Sequence, residues 1–412
     1  MQRYEYFMKQ TELKMKNILI ISQYFPPDIS GGGTRAFNYA KCLSKNYDVT
    51  VITAFPHLHS KIPSSYRFHL IKKEKIDKIK VIRVRVPSLL HNSIKNRILL
   101  HFSFLISSLF PIFSQKPDVI FASEPNLFSI IPAFFYSKLR GGKVIRVVDD
   151  LWPEVIYERG FLKSNIIKFF LNKLAYFSYN FPQYILPLTE EAKQHIVKFY
   201  NINSKKIIVM EHGVNTNIFK FKEKNNNLPF TVMYSGALVE SYDFDLFLNV
   251  IKKFKDKNFR FIIRGKGLLL EELKRKKNTL DLNNLTIDST IVESEQITST
   301  LSKADVFLVP MKDDYFLNLS LPTKILEYQA LGRPIICCSN GSPGNYVKDT
   351  NSGISIPAEN LSTLIHSIQS LESDEILCKT FGENGMNYVK KNLTFEKIGA
   401  RLSELIEKPT KS

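Results

Sequence analysis

The chain has 412 residues and carries 57 Lys and Arg against 39 Asp and Glu, a formal net charge of +18. This length allows two or three domains of roughly 150 residues. Hydrophobic residues at 44% and aromatics at 12% exclude a disordered or collagen-like chain. Residues 1–220 hold 32 basic and 15 acidic side chains, whereas the remainder holds 25 and 24. The first half is therefore expected to meet something anionic: a membrane surface, phosphates or nucleic acid.

The N-terminus and the cysteines indicate the compartment. Residues 1–16 are polar and form no secretory signal, and Met15 is a more natural start, so residues 1–14 are interpreted as a disordered extension or a misassigned start. The four cysteines have no metal-ligand spacing, and adjacent Cys337 and Cys338 follow two isoleucines. This pattern predicts a buried strand with reduced thiols and a cytosolic setting.

Short apolar runs alternate with helical patterns through the first half of the chain. Strands that are apolar on both faces and separated by helices indicate a parallel sheet of βαβ units. The predicted strands are 18–22, 49–53, 81–86, 119–122, 144–148, 184–188 and 207–210, with helices at 34–45, 94–110, 127–139, 165–179 and 190–200.

A polar segment, 220–228, interrupts this pattern and is interpreted as a linker. After it the alternation restarts, with strands predicted at 230–235, 259–264, 285–288, 306–309, 334–338 and 353–356, and a last helix at 395–407. The predicted fold class is α/β, with two Rossmann-like α/β/α domains. They span 15–215 and 225–393. Ligands of such sheets bind at the carboxyl ends of the strands, here expected in a cleft between the domains.

One long apolar stretch, 98–113, contains His101 and Pro111 and falls short of the ~20 apolar residues that span a bilayer. It is interpreted as a buried or membrane-facing helix. The preceding segment 61–97 holds 11 basic and two acidic residues. A basic flank beside an apolar helix favours peripheral docking on an anionic leaflet. The alternative is a lysine-rich surface without a partner.

Gly31, Gly32, Gly33 and Arg35 follow the first strand and open a helix. Glycines allow close backbone approach, and the helix N-terminus and Arg35 suit a phosphate or a developing anion. The alternative is a flexible connecting loop. The run is not GxGxxG, and no acidic residue follows the second strand, which counts against a dehydrogenase.

Asp149 and Asp150, followed by Trp152, stand at the carboxyl end of a buried strand, where open α/β sheets bind ligands. Adjacent aspartates can bind a divalent metal, activate a hydroxyl or cap the next helix. His57 follows the second strand on the same predicted edge and is a candidate acceptor contact, although a structural role is more common for such a histidine.

The second half contains two further candidate anion sites. Arg264, Gly265, Lys266 and Gly267 form a compact cradle between a strand and a helix. In the second, Thr323, Lys324 and Glu327 open a helix after a proline, which places the Lys and Glu side chains on one face. A carboxylate there can accept hydrogen bonds from vicinal hydroxyls, and the lysine can bind phosphate. A solvated Lys–Glu pair is the alternative.

Taken together, these segments resemble the retaining, nucleotide-sugar-dependent glycosyltransferases of family four, which have the GT-B fold. The likeness runs from Met15 to about Glu407, and it implies that residues 394–412 cross back to the first domain. It rests on Tyr-Phe-Pro-Pro-Asp…Gly-Gly-Gly (24–33), Asp-Leu-Trp-Pro-Glu (150–154), Gly-Lys-Gly before a helix, and Pro-Thr-Lys-Ile-Leu-Glu-Tyr…Gly-Arg-Pro (322–334). The subgroup with these motifs builds O-antigen, capsule and exopolysaccharide.

The resemblance implies a role for each candidate residue. Glu327 would bind the donor ribose, while Arg264, Lys266 and Lys324 would neutralise the diphosphate, with Thr323 at the helix N-terminus. Asp149 and Asp150 fall where relatives have a catalytic histidine or a sugar-contacting aspartate. The triglycine segment would lie under the phosphates and acceptor. Gly236, in the loop after the second domain's first strand, would line the donor site.

The chain departs from the family pattern at three places. Leu319 stands where the first glutamate of the usual Glu-x7-Glu pair is expected. Residues 234–240 lack the usual Arg and Lys, and Asp149 replaces an arginine common in close relatives. The standard phosphate-binding pair is therefore not transferred to this chain.

The resemblance implies transfer of a sugar from a nucleotide-sugar, most simply a UDP-sugar, to a lipid-diphosphate-linked saccharide. The transfer would retain the configuration of the anomeric carbon and would need neither a metal nor a cofactor. The enzyme would lie at the inner face of the cytoplasmic membrane. Alternatives are a GT-B-fold sugar-nucleotide epimerase, and a basic nucleic-acid- or membrane-binding protein without enzymatic activity. No helix-turn-helix, RNP-like strand or zinc finger supports a nucleic-acid partner.

Overall fold

The structure, a computed structural model, describes residues 15–28, 31–57, 62–66, 68–87, 94–123, 127–158, 160, 162, 164–223, 229–290, 292 and 294–409. The predicted extension at 1–14 and most of the predicted linker, 224–228, lie outside these residues. The chain divides into two compact units. The first unit comprises residues up to Pro187, Lys193–Met210 and residues from Gly399 onward, and the second comprises Leu188–Ala192 and Glu211–Ile398.

The first unit is built on a seven-stranded sheet. Its strands are β1 (Asn17–Ile21), β2 (Asp48–Ala54), β3 (Ile71–Ile76), β4 (Ile79–Val84), β5 (Val119–Ser123), β6 (Lys143–Val147) and β7 (Tyr184–Leu186). They lie in the order β3-β4-β2-β1-β5-β6-β7, and all neighbours are parallel except β3, which is antiparallel to β4. The central strands are buried on both faces, as parallel strands between helical layers require.

Six helices accompany this sheet: α1 (Gly31–Leu43), α2 (Ile94–Gln115), α3 (Ile130–Arg140), α4 (Glu154–Glu158), α5 (Asn165–Asn180) and α6 (Glu190–Tyr200). A core cluster joins one face of the sheet to α2 and α3, with Leu19 and Ile120 packed among Leu100, Phe104 and Ile130. Helix α2 continues through Pro111, beyond the predicted end at 110. Its residues 96–115 would suffice, in length and apolar composition, to cross a bilayer. The same test is passed by core helices of soluble proteins, and 39% of this segment is buried inside the protein.

Strand β3 was not predicted from the sequence, and the predicted strand at 207–210 pairs with its neighbour without forming a regular strand. Strand β3 reads Ile-Lys-Lys-Glu-Lys-Ile, and its charged side chains hide the alternation of a strand that lies at the sheet edge. Lysines are common on such edges because they discourage pairing with another chain. The predicted strand at 207–210 pairs with the end of β7 through one bridge, between Ile207 and Ile185, and through the N–H groups of Ile208 and Met210, which donate to the carbonyls of Ile185 and Pro187 (both 2.9 Å).

The second unit is built on a six-stranded parallel sheet. Its strands are β8 (Phe230–Ser235), β9 (Phe259–Arg264), β10 (Leu285–Asp288), β11 (Val306–Pro310), β12 (Ile335–Cys338) and β13 (Gly353–Ile356), in the order β10-β9-β8-β11-β12-β13. Its helices are α7 (Phe244–Lys253), α8 (Leu270–Thr279), α9 (Ser294–Leu301), α10 (Thr323–Ala330), α11 (Ser342–Asp349), α12 (Leu361–Ser373) and α13 (Glu375–Asn392). All of β12 is buried, and the cysteines in it are free thiols, as predicted.

The last helix, α14 (Phe395–Glu407), returns to the first unit, as predicted for this fold. From Gly399 onward its residues belong to that unit, and Gly399 packs against Cys42 of α1. The Lys143 Nζ donates hydrogen bonds to the carbonyls of Leu405 (2.8 Å) and Ile406 (2.9 Å). A lysine at carbonyls of the last turn satisfies acceptors that the helix itself leaves unpaired.

Candidate functional site

Two loops meet where β8 and β9 end in the second unit. The Gly236 N–H donates to the carbonyl of Arg264 (2.9 Å), and the Leu238 N–H donates to that of Lys266 (2.8 Å). These bonds continue the strand pairing past the sheet, so the loops run side by side at the carboxyl edge. Open α/β sheets bind ligands at this edge.

Glycines make this contact possible. A Cβ at Gly265 would lie 1.8 Å from the carbonyl oxygen of Gly236, and one at Gly267 would lie 2.1 Å from that of Leu238. A Cβ at Gly236 would lie 2.6 Å from Cε of Lys324. The two predicted cradle glycines therefore let the loops touch, and Gly236 makes room for a lysine from α10.

Helix α10 brings Lys324 into a group of tyrosines. Its Nζ donates to Tyr234 Oη (3.2 Å) and lies 3.7 Å from the ring centroid of Tyr242. The hydroxyl of Tyr328, one turn further along α10, accepts from the Ser235 N–H (2.8 Å) and donates to the Ser235 carbonyl (2.7 Å). The start of α10 is thus anchored to the end of β8.

The pKa values of the Lys324 and Glu327 side chains both lie near neutral pH. Burial lowers the pKa of Lys324 to about 7, with Glu327 opposing the shift. Burial likewise raises the pKa of the Glu327 carboxyl to about 7, with Lys324 opposing. An incoming anion would favour the ammonium form, and hydroxyl donors would favour the carboxylate. The pair can therefore bind a molecule that carries both phosphate and vicinal hydroxyls.

The other predicted donor residues have different surroundings. Arg264 is buried, its Nη2 donates to the Thr290 carbonyl (3.1 Å), and its Nε lies 3.5 Å from Asp288 Oδ2. The structure places Arg264 in an ion pair, whereas the sequence analysis expected a cation facing the ligand. Lys266 is exposed on the loop, and Thr323 is the first residue of α10.

Arg35 of the first unit also differs from its predicted role as a ligand-facing cation. Its side chain is fully buried, and acceptors occupy all five of its N–H groups. The acceptors are Tyr39 Oη (2.9 Å), Asp149 Oδ1 (2.9 Å), and the carbonyls of Val148 (3.0 Å), Leu186 (3.1 Å) and Met210 (2.6 Å). Arg35 therefore ties α1 to the carboxyl ends of β6 and β7, and Asp149 is its counterion.

The triglycine segment is the first turn of α1, where the sequence analysis expected a loop. A Cβ at Gly33 would lie 3.0 Å from Cβ of Tyr24, so this turn packs closely on the segment after β1. Asp150 is exposed, and its carbonyl accepts from the Trp152 N–H (3.1 Å). The predicted aspartate pair is thus divided: Asp149 pairs with Arg35, and Asp150 faces the surface.

Gln23, His57 and His101 form a hydrogen-bonded chain at the same edge. The Gln23 Oε1 accepts from His101 Nδ1 (2.6 Å), and its Nε2 lies 3.4 Å from His57 Nε2. His57 Nδ1 lies 2.7 Å from the Phe55 carbonyl, which assigns its proton to Nδ1. The Trp152 ring meets the His101 ring edge-on at 6.0 Å. Loops after β1, β2 and β6 and helix α2 therefore contribute to one polar cluster.

The sequence analysis identified His57 and Trp152 of this cluster and missed Gln23 and His101. A histidine within an otherwise apolar helix was the available signal for His101. Within the part of the chain that the structure describes, no three His, Cys, Asp or Glu side chains gather in a way that could hold a metal ion.

Two family models match successive parts of the chain. The model described as Glycosyltransferase Family 4 matches residues 29–218, and the model described as Glycosyl transferases group 1 matches residues 215–388. The matches meet close to the boundary between the two units and together cover most of the chain.

Curated relatives agree. One uncharacterized glycosyltransferase of Methanocaldococcus jannaschii is 22% identical over 95% of this chain and 98% of its own length. A second from the same organism is 28% identical over 50% of this chain and 51% of its own length. The capsular polysaccharide biosynthesis glycosyltransferase CapM of Staphylococcus aureus is 24% identical over 71% and 77%. An Escherichia coli UDP-Gal:alpha-D-GlcNAc-diphosphoundecaprenol alpha-1,3-galactosyltransferase is 25% identical over 56% and 63%.

Solved structures share the fold. Sucrose-phosphate synthase from Thermosynechococcus elongatus superposes with a TM-score of 0.76 at 13% identity, covering 95% of this chain and 98% of that one. Anabaena HepE in complex with UDP-glucose superposes with a TM-score of 0.69 at 12% identity, covering 96% of this chain and 100% of that one. The chain is therefore a glycosyltransferase with the GT-B fold, its first half matching the family-four model and its second half the group 1 model.

Proposed function

We propose that this glycosyltransferase moves a sugar from a UDP-sugar to a lipid-diphosphate-linked saccharide, with retention, in the synthesis of a cell-surface polysaccharide. Two relatives support the acceptor class, since one is named for a diphosphoundecaprenol acceptor and the other for capsule synthesis. The structural neighbour HepE supports the nucleotide, because it was solved with UDP-glucose.

The Lys324–Glu327 pair carries the proposal. Lys324 packs against Gly236 in the loop after β8, and Glu327 lies one turn further along α10. In the proposed complex Glu327 accepts hydrogen bonds from the ribose hydroxyls, while Lys324 and the first N–H groups of α10 bind the diphosphate. Lys266 is exposed on the adjoining loop and supplies a further cation.

The polar cluster of the first unit is assigned to the acceptor. Gln23, His57 and His101 offer hydrogen-bonding groups held in position by one another, and Trp152 offers a flat apolar surface of the kind that packs on sugars. Asp150 is the exposed carboxylate at this edge and is assigned to a contact with the reacting saccharide.

The proposed reaction needs no metal or cofactor. The bond between the sugar's anomeric carbon and the diphosphate breaks, and the acceptor oxygen bonds to the same carbon from the same face. The acceptor proton passes to an oxygen of the departing diphosphate. The ammonium of Lys324 and the α10 N-terminus stabilise the charge that develops on the leaving group. The enzyme would act as a peripheral protein at the inner face of the cytoplasmic membrane, where such acceptors are found.

The first test compares thermal stabilisation by UDP, GDP, ADP and dTDP, because a ligand that binds only the folded state raises its stability. We expect UDP to stabilise most, and Glu327→Gln to lose the effect while Glu383→Gln on exposed α13 keeps it. Transfer is then measured with a matching UDP-sugar and a lipid-diphosphate disaccharide, with and without EDTA. The product anomer is read by NMR.

Two results would contradict the proposal. If a nucleotide other than UDP alone stabilises the protein, the donor carries that nucleotide. If the donor is epimerised without any acceptor, the enzyme is an epimerase. Asp150→Asn is expected to lower kcat, and the melting temperature of this variant is measured to verify that it is folded.

A further inference from the structure

The first unit exposes an unusual apolar face. Five side chains of α2 lie at spacings of three and four residues, which places them on one side of the helix: Leu99, Phe102, Ile106, Phe110 and Phe113. Seven more exposed large hydrophobic side chains come from α3 and α5. Together these three helices hold twelve of the twenty-one such side chains in the described chain. We call this surface the outer helix face.

The three helices form one continuous layer. The Phe113 ring of α2 lies 5.7 Å from Tyr136 of α3, and the Phe134 ring of α3 lies 5.0 Å from Phe177 of α5. Helix α2 is also apolar on its inner side, where Leu100 and Phe104 enter the core. A helix with apolar side chains on opposite sides is typical of a protein core or a membrane. Within the described part of the chain, protein covers the inner apolar side of α2 and leaves these five outer side chains exposed.

The charge on this layer has one sign. Helices α2, α3 and α5 carry six basic side chains and no acidic one, in a chain with 39 Asp and Glu. Lys138, Arg140 and Lys173 are exposed beside the apolar side chains. At one end of the face, Phe113, Lys116 and Arg140 line an open depression of about 1110 Å³, which also contains Asp118 and Glu407.

We propose that the outer helix face inserts into one leaflet of an anionic phospholipid bilayer, with the flanking Lys and Arg side chains on the lipid phosphates. Exposed apolar patches bordered by polar residues mark interaction sites, and apolar side chains flanked by cations fit the boundary between headgroups and acyl chains. The inference rests on the proposed function, since a lipid-linked acceptor lies in such a leaflet. It retains the predicted docking through the apolar helix 98–113 and extends the contact surface to α3 and α5.

A second copy of the chain is a poorer occupant. Two such faces brought together would bring the exposed Lys138, Arg140 and Lys173 of both copies to an apolar contact without acidic partners from these helices, and like charges repel. A leaflet containing anionic lipid supplies the missing negative charge.

The experiment measures flotation of the full-length protein with vesicles of phosphatidylcholine alone and with 30% phosphatidylglycerol, without donor or acceptor. The apolar variant is Phe110→Ser with Ile166→Ser and Phe170→Ser, and its control is Ile376→Ser, a similarly exposed side chain of the second unit. The charge variant is Lys138→Ala with Arg140→Ala and Lys173→Ala, and its control is Lys379→Ala on α13. Melting temperatures verify that each variant is folded.

We expect the unaltered protein to bind only the anionic vesicles. The apolar variant should bind them at least about tenfold more weakly, and the charge variant about fivefold more weakly per removed charge at low salt. The controls should bind as the unaltered protein does. A further variant combines Lys72→Ala, Lys73→Ala and Lys75→Ala on β3. If only this variant loses vesicle binding, β3 and not the outer helix face is the docking surface. Dimers in solution that the apolar variant dissociates would identify a second copy as the occupant.

The result is separable from the proposed function. Transfer to a soluble acceptor analogue with intact kcat in the apolar variant is expected, since its substitutions lie outside the candidate site. Absence of transfer by the unaltered protein would contradict the function and leave the vesicle result standing. Absence of vesicle binding with normal transfer would overturn only the docking inference.

Discussion

The ammonium of Lys324 lies 3.7 Å from the centroid of the Tyr242 ring and 4.9 Å from the centroid of the Tyr234 ring. Aromatic faces attract a cation yet give it no counter-charge, so the lysine keeps its capacity to pair with an anion. Glu327, the nearby carboxylate on α10, is itself partly protonated near neutral pH. This arrangement differs from Arg264, which Asp288 already neutralises, and from Arg35, whose donors are all used.

Lys324→Gln should weaken nucleoside-diphosphate binding by about ten- to a hundredfold, because hydrogen bonds to charged groups contribute about 1.5–3 kcal/mol. Isothermal titration with UDP measures the effect, and Lys390→Gln on α13 is the control. Arg264→Gln should affect binding less than Lys324→Gln and stability more. The reverse order would restore Arg264 as the principal phosphate ligand.

Nucleoside-diphosphate affinity should be greatest near pH 7. Above this pH Lys324 loses its proton, since its pKa is lowered to about 7, and the charge that pairs with phosphate is lost. Below it Glu327 gains a proton, since its pKa is raised to about 7, and accepts hydroxyl hydrogen bonds less well. Each limb should approach about tenfold per pH unit.

The phosphate of UDP titrates as well, so the informative quantity is the affinity ratio of unaltered protein to variant across pH 5.5–9. Lys324→Gln should flatten the alkaline limb, and Glu327→Gln should flatten the acidic limb. Parallel profiles for all three proteins would disprove the assignment.

Gly265→Ala should destabilise the second unit by about 3 kcal/mol or more, because its Cβ would lie 1.8 Å from the Gly236 carbonyl oxygen. UDP binding should fall with it. Gly399→Ala is the matched control: its Cβ would meet Cys42 at an ordinary 3.4 Å, and alanine in a helix gains about 0.5–1 kcal/mol over glycine. Urea unfolding measures both. Equal stabilities of the two variants would contradict the loop contact.

Arg35→Met should cost about 3–5 kcal/mol of unfolding free energy, since removal of one partner leaves the buried Asp149 carboxylate without its counterion. Adding Asp149→Asn should recover part of the loss, because the uncompensated charge is then absent. UDP affinity per folded molecule should stay unchanged in both variants. A stable Arg35→Met variant with impaired donor binding would instead support the original prediction of a ligand-facing cation.

Gln23→Leu should raise the KM for acceptor about tenfold or more and leave UDP affinity unchanged, because it deprives His57 and His101 of their shared partner. Gln296→Leu, at an exposed position of α9, is the control. Steady-state kinetics with varied acceptor give the split between KM and kcat. A change confined to UDP affinity would exclude an acceptor role for the cluster.

Apolar patterns predicted most strands and helices, because buried parallel strands and core-facing helices depend on local hydrophobicity. The bounds of β8, β9, β10, β13 and α14 agree with the prediction. Strand β3 escaped because its pairing with β4 depends on a neighbour rather than on its own apolar residues. The two α/β domains were accordingly within reach of the apolar pattern, whereas the GT-B assignment came from the resemblance of the motifs.

Side-chain partners were much less predictable than the segments that carry them. The motifs indicated the correct loops and helix starts, yet Arg35 bonds to Met210, 175 residues away, and no local pattern encodes that contact. Arg264 pairs with Asp288 on the adjoining strand β10, which only the sheet order reveals. His101 reaches Gln23 because α2 packs across the sheet.

The return of α14 has a consequence for synthesis on the ribosome. Residues from Gly399 onward complete the first unit, where Lys143 binds the carbonyls of Leu405 and Ile406. That unit therefore cannot reach its final packing until nearly 190 residues of the second unit have been translated. The nascent first unit has to persist in an incomplete state, and chaperones that recognise exposed apolar surface would have their longest opportunity to bind it during that interval.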